Sequence, residues 1–237
     1  MEGRILSFES MGLVDGPGIR AVVFMQGCAL RCAFCHNPES WACSAGHTVT
    51  SEEIFAKIKR FRPYFERSGG GVTFSGGEPL LQKDFVLDVF KRCKAEGIHT
   101  CLDTAGVGAG DYAELLRYTD LVLYDVKAVD AESYRKICGG DIAVTEKFQQ
   151  ALRESGTETV IRQVVVPGIS DSGEYMEKLK AYIKENIPEA KKVELLPYHL
   201  MGLHKYKKLG IELGLAGVPA MDKTKTNELY KQYFENM

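Results

Sequence analysis

The sequence has no apolar run that approaches the length of a membrane span. Its first ten residues, MEGRILSFES, carry Glu2, Arg4 and Glu9 and lack the apolar core of a signal peptide. Both absences lead us to expect a cytoplasmic chain with no membrane contact. An excess of basic charge is missing too: 30 Lys and Arg stand against 32 Asp and Glu, a formal net charge of -2. Such a chain has no field to draw nucleic acid or anionic lipid. A local basic run, Lys205, Lys207 and Lys208, reads as a solvated face. There is no low-complexity segment and no obvious linker. A disulfide framework is a poor fit, because seven cysteines is an odd number and the compartment is expected to be reducing. Metal or redox chemistry remains. Cys43, Cys93, Cys101 and Cys138 are scattered and read as small buried hydrophobes.

What the sequence does have is an alternation. A length of 237 residues suits one large α/β domain over 1–237, with an N-terminal extension to about residue 20 and a C-terminal helical segment from about residue 205. Six runs read as buried strands: AVVFMQ from Ala21, GVTFS from Gly71, IHTCLDT from Ile98, LVLYDVK from Leu121, TVIRQVVV from Thr159 and VELLPY from Val193. Helical patterns lie between them. SEEIFAKIKRF opens with Ser51 and acidic residues, and KDFVLDVFKRCKAEG stops at Gly97. Six strand–helix units predict a parallel sheet, either curled into an open barrel or flat and doubly wound. In such folds ligands sit at the ends of the strands. Those ends carry SGGEP, then Asp103 and Thr104, then Asp125 and Lys127, then VPG, then PYH with His199.

Three cysteines, Cys28, Cys32 and Cys35, crowd into the stretch GCALRCAFCHN. A structural zinc site is closed by four ligands, usually two separated pairs. His36 offers a fourth ligand, but it adjoins Cys35, and the chain has no second C-x-x-C. A four-iron cluster takes one cysteine per corner iron. Three cysteines leave one position open, as catalytic metal centres do, and soft thiolates suit such clusters. Cys43 as a fourth ligand would instead close the site and make an electron carrier.

The C-x3-C-x2-C spacing, Phe34 before its last cysteine, and Gly76-Gly77-Glu78-Pro79 after the second strand together resemble the radical S-adenosylmethionine (SAM) enzymes. Within that family, SFESMGLVDGPGIRAVVFMQGC, SGGGVTFSGGEPLLQ, GIHTCLDTAG, VVVPGISD and LLPYH resemble the activating enzymes of glycyl radical enzymes. The similarity runs from Gly3 to about Lys208. Between Asn37 and Gly71 only Cys43 occurs, so the second-cluster insert of some relatives is absent. The shorter activases of anaerobic ribonucleotide reductase fit this length poorly.

The resemblance implies an open partial TIM barrel, (βα)6, with a [4Fe-4S] cluster on Cys28, Cys32 and Cys35. It implies SAM contacts from Phe34, Cys35, His36, Gly76, Gly77, Glu78, Asp125, Val126, Lys127 and His199. A reduced cluster would cleave SAM to methionine and a 5′-deoxyadenosyl radical, which takes an α-hydrogen from a glycine of pyruvate formate-lyase. Flavodoxin or a similar donor would supply the electron, and the chain would be a monomer. Activation of another glycyl radical enzyme, or radical chemistry on a small molecule, is the alternative. Asp103, Thr104 and Asp125 are the candidates for a monovalent cation beside SAM. Asp15, His36 and Arg162 are the candidates for touching the partner's loop. Structural readings stay open for three of these positions: an Asp125–Lys127 salt bridge, a barrel pairing of Arg162, and a satisfied histidine at 199.

Overall fold

The computed structural model describes residues 1–235 and 237. Eight strands form one sheet: β1 (Glu2–Gly12), β2 (Arg20–Met25), β3 (His47–Thr50), β4 (Gly71–Gly76), β5 (His99–Thr104), β6 (Leu121–Asp125), β7 (Glu158–Val165) and β8 (Lys192–Pro197). Their spatial order is β3-β1-β2-β4-β5-β6-β7-β8. From β2 through β8 every neighbouring pair is parallel. These six strands are the six expected from sequence, and their ends β2 and β8 do not meet. The protein is therefore an open partial barrel of the (βα)6 kind rather than a closed one.

Helices cover the outer face: α1 (Ser51–Lys59), α2 (Arg62–Ser68), α3 (Lys83–Ala95), α4 (Ala113–Arg117), α5 (Ala131–Cys138), α6 (Glu146–Ser155), α7 (Gly173–Asn186), α8 (Leu203–Leu209) and α9 (Lys223–Tyr233). Local chemistry sets their ends. Thr50 and Glu53 form a capping box at the start of α1. The Asp130 side chain accepts from the Ser133 N–H at the start of α5. Gly139 and Gly156 end α5 and α6 in the left-handed conformation. The buried face of α3 carries Phe85, Val86, Val89, Phe90 and Cys93, a helical repeat that meets the strands.

The fold departs from the sequence reading in four places. The N-terminal extension is not an appendage, because β1 pairs antiparallel with both β2 and β3 and widens the sheet. Its buried Gly3 and Ile5 alternate with exposed Glu2 and half-buried Arg4 and Leu6, a period-two pattern in a polar setting. SEEIFAKIKRF forms the expected helix, α1, but a second helix not read from the sequence, α2, follows it. The chain leaves α1 after Lys59 and restarts at Arg62, where Pro63 takes a first-turn position that needs no N–H. The C-terminal segment holds two helices, α8 and α9, separated by irregular chain, and position 236 within it lies outside the described residues. Cys43 is exposed, whereas Cys93, Cys101 and Cys138 are buried as expected.

Between β1 and β2 the DGPG turn is wedged against the barrel. The Arg20 guanidinium is fully buried and donates to Thr73 Oγ1, Val72 O and Pro17 O. Thr73 Oγ1 in turn donates to the Asp15 carbonyl at 2.6 Å. Gly18 has φ +67, and a Cβ there would stand 2.5 Å from Gly70 N, so the turn requires glycine. This clamp sets Asp15 at the edge of the cavity described next.

Candidate active site

Past the end of β2 the chain turns into the cysteine loop. Gly27 N–H donates to Ser40 O, and Cys28 N–H to Trp41 O, so the loop closes on itself. Cys35 N–H donates to Cys32 O at 2.9 Å, a tight turn that brings the last two thiols together. On either side of Cys32, the N–H groups of Arg31 and Ala33 donate to Cys138 O and Ile137 O, each at 2.8 Å. These carbonyls end α5, where a helix has no intrahelical donor left. The Tyr206 hydroxyl of α8 donates to Cys35 O at 2.8 Å. The loop is thus held from both sides.

The loop after β4 is sewn to this one. Gly77 N–H donates to Met25 O and Glu78 N–H to Gly27 O, at 2.9 and 2.8 Å. Any Cβ at Gly77 would collide with the Gly27 carbonyl, and Gly76 has φ +101, so both positions need glycine. The Glu78 carboxylate is buried and accepts from Thr104 Oγ1, Leu80 N–H and Ala105 N–H. It fastens the GGEP loop to the end of β5. Burial lifts its carboxyl from the ordinary 4.5 to about 7, against the pull of those three donors.

Charged side chains line the next three strand ends. Ser75 Oγ donates to Asp103 Oδ2 at 2.6 Å, and Arg162 Nη1 lies 3.4 Å from the same oxygen. Lys127 Nζ donates to Asp125 Oδ2 at 2.7 Å and stands 5.8 Å from the centre of the Phe34 ring. Residues 125 and 127 point the same way from their chain. Burial pushes the Asp103 carboxyl up, and the Arg162 charge opposes it. His36 meets His199 edge-on, with ring centres 4.0 Å apart. Burial first, and then the neighbouring His199, push His36 down to about 4, so it is neutral at physiological pH.

All these groups face one cavity of about 470 Å³. Of the residues singled out from sequence, Cys28, Cys32, Phe34, Cys35, His36, Gly76, Gly77, Glu78, Asp103, Thr104, Asp125, Lys127, Arg162, His199 and Asp15 line it. Val126 does not. Alternation turns its side chain to the other face, where it is buried in the core, and its N–H donates to Arg162 O. A smaller hollow of about 220 Å³ adjoins the cavity at Phe34, Lys127 and Val164. Exposed Cys43 packs near Gly27 and is not part of the lining.

The donor set suits the group the cysteines call for. Three thiols share one wall, and among the described residues no three His, Cys, Asp or Glu side chains are gathered for a single metal ion. A cluster with one cysteine per corner iron does not ask for that convergence. Burial pushes the Cys28 thiol up to about 12 and raises Cys35, while Cys32 is raised first by the neighbouring Cys138 thiol and then by burial. Lys127 pulls all three the other way, toward the thiolate that binds metal. Three buried polar atoms on the cavity, Asp103 Oδ1, Arg162 Nε and His36 Nε2, have no partner in the protein. Unpartnered buried atoms of this kind point to a ligand.

Sequence reasoning missed Glu9, Val14, Trp41 and Leu196 in this lining, and it gave Ser75 no role of its own. Glu9 lay inside the supposed extension, so its strand had to be seen first. Cys138 was also missed as a neighbour of Cys32, because nothing local marks a contact across 106 positions.

An open (βα)6 barrel with three cysteines on the loop after its first parallel strand defines a radical SAM protein. The sequence model described as the Radical SAM superfamily matches residues 22–183. The chain is 54% identical over 229 residues to the pyruvate formate-lyase-activating enzyme of Clostridium pasteurianum, covering 97% of this chain and 96% of that one. It is 43% identical over 239 residues to the enzyme of the same name from Staphylococcus epidermidis, with coverages of 98% and 95%. It belongs to the radical SAM superfamily and, within it, to the family of pyruvate formate-lyase-activating enzymes. A domain of such an enzyme from Bacteroides vulgatus has the same fold, with a TM-score of 0.55 at 24% identity over 69% of this chain and 92% of that one.

Proposed function

We propose that this chain, as a single radical SAM domain, activates a pyruvate formate-lyase by generating a glycyl radical on it. The observation that carries this reading is the convergence of the three thiols, the GGEP loop and the Asp125–Lys127 pair on one cavity. A [4Fe-4S] cluster with SAM, bound there, would supply a reactive carbon radical able to remove a glycine α-hydrogen.

Each residue then has a task. Cys28, Cys32 and Cys35 hold the cluster. Lys127 presents a fixed positive charge for the SAM carboxylate, and Asp125 orients Lys127. Gly76 and Gly77 let the backbone approach the ligand closely, while Glu78 fixes their loop. Phe34, at the junction of the two hollows, offers a face for adenine. Neutral His36 and the neighbouring His199 close the far edge of the cavity. Asp15, His36 and Arg162 border the space for the partner's glycine loop. For a monovalent cation, Thr104 Oγ1 already donates to Glu78 and accepts from Gly106 N–H, so Asp103 Oδ1 and the second oxygen of Asp125 remain. Electron delivery from a flavodoxin-like donor and a cytoplasmic location complete the proposal; among the described residues no helix is long and apolar enough to cross a membrane.

The test is anaerobic reconstitution with iron, sulfide, SAM and a reductant, followed by addition of a pyruvate formate-lyase. Electron paramagnetic resonance should show a glycyl radical on the partner. SAM cleavage without that radical would leave a radical SAM enzyme of another substrate. About one zinc and no sulfide per chain would overturn the cluster itself.

A further inference from the structure

Helix α5 stands directly behind the cysteine loop, and two of its buried residues are unused by the chemistry above. Cys138, its last residue, is fully buried and packs with Cys32 in one cluster with Leu30, Ala105 and Tyr134. Two backbone bonds lock this juxtaposition, since the N–H groups on either side of Cys32 donate to the carbonyls of residues 137 and 138. The two thiols are therefore neighbours within that cluster. One helical turn earlier, at the i−4 position of the same face, Tyr134 is 2% exposed and its hydroxyl has no partner in the protein. Burial, followed by the sulfurs of Cys138 and Cys32, holds that phenol protonated.

A thiol is both a weak donor and a weak acceptor. In the chain alone either sulfur can give the proton. Once Cys32 binds iron its sulfur has no proton left, so a hydrogen bond between the two sulfurs can only run from Cys138 to Cys32. Hydrogen bonds to ligand sulfur are among the factors that set a cluster's reduction potential, because they favour the more negative, reduced form. We propose that Cys138 is a positioning residue for the cluster: its thiol donates to the iron-bound Cys32 sulfur and raises the cluster's reduction potential, with the Tyr134 hydroxyl as a second donor on the same side. The inference rests on the cluster assignment of the preceding section and concerns the ease of reduction, not the identity of the substrate.

The experiment compares the wild-type chain with Cys138→Val, Cys138→Ala and Cys138→Ser after anaerobic reconstitution. Iron and sulfide per chain are measured first, and the midpoint potential is then titrated by electron paramagnetic resonance without SAM or partner. Cys138→Val fills most of the thiol's volume without a donor, so it separates a lost hydrogen bond from a cavity. Cys138→Ser keeps a donor. The expected result is a full cluster in all four chains, a potential shifted lower in the Val and Ala chains, and a Ser chain nearer to wild type. Tyr134→Phe should shift the potential the same way. Fully loaded Val and Ala chains at the wild-type potential would overturn this inference and leave the cluster reading intact. A wild-type chain without iron and sulfide would overturn both.

Discussion

At Glu78 one buried carboxylate ties two loops together, and its proton is linked to stability. Its ordinary value of 4.5 describes the unfolded chain, and the folded chain holds it at about 7. The folded state therefore binds the proton more tightly. This contribution is complete below about pH 4.5 and is lost as pH rises through about 7, a span worth about 3 kcal/mol. Asp103 is shifted in the same direction and adds to the trend. Glu78→Gln removes the titration but sets an amide N–H₂ against the Ala105 or Leu80 donor, at a cost of about 1–3 kcal/mol. Urea midpoints at pH 5.5 and pH 8 should show the variant's deficit shrinking at the higher pH. An unchanged deficit would mean that Glu78 is ionised throughout. For Lys127→Met the readout is SAM binding to the reconstituted chain. Losing one charge-assisted contact of about 1.5–3 kcal/mol predicts a roughly 10- to 100-fold weaker affinity, and wild-type affinity would remove Lys127 from the SAM site. Both residues were legible in sequence, because unusual residues at the ends of buried strands must gather on one rim. Cys138 was not legible, since a helix-borne cysteine far from the motif differs in no local way from one buried for packing.

At the scale of elements, the six parallel strands were readable because burial on both faces leaves continuous β-branched and apolar runs. β3 escaped because it is the edge strand, and β1, beside it, because its burial is only partial. β3 has four residues, none of them buried, and β1 alternates in a stretch rich in polar residues. The junction of β2 with β4 makes the sharpest prediction here. Gly77 lies so close to the Gly27 carbonyl that Gly77→Ala must push the GGEP loop away from the cysteine loop. It should break the Gly77–Met25 and Glu78–Gly27 hydrogen bonds and cost about 3 kcal/mol or more. Chemical denaturation of the metal-free chain measures this directly. Gly69→Ala is the control for backbone strain alone: Gly69 has positive φ, which Gly77 does not, but nothing lies within 4 Å of its Cβ position, so only the conformational cost of about 1 kcal/mol applies. Equal losses in the two variants would show that crowding at Gly77 is not what requires glycine there.

At the scale of the whole molecule, an open barrel leaves β8 as a free edge, which invites pairing with another chain. Helix α9 covers this side: it packs on β8 and α7, and its end buries Leu229 and Phe234. Lys225 anchors it to Asp171 at 2.5 Å. Just before α9, Met221 N–H donates to Tyr198 O at 2.8 Å, which ties the C-terminal segment to the residue preceding His199. The same segment thus shields an edge and steadies one wall of the cavity. Removing residues 221–237 should therefore have three linked effects. Exposure of Leu229's and Phe234's packing surfaces costs about 3–6 kcal/mol at roughly 1.5–3 kcal/mol per buried large side chain, seen as a lower urea midpoint. The uncovered β8 edge should make light scattering rise with protein concentration. The freed Tyr198–His199 segment should weaken SAM binding while iron and sulfide content stay at wild-type levels, because the cysteine loop is held by α5 and α8 instead. A truncated chain that lost its cluster along with SAM affinity would contradict that division, since it would make α9 a support of the cluster loop as well as of the opposite wall.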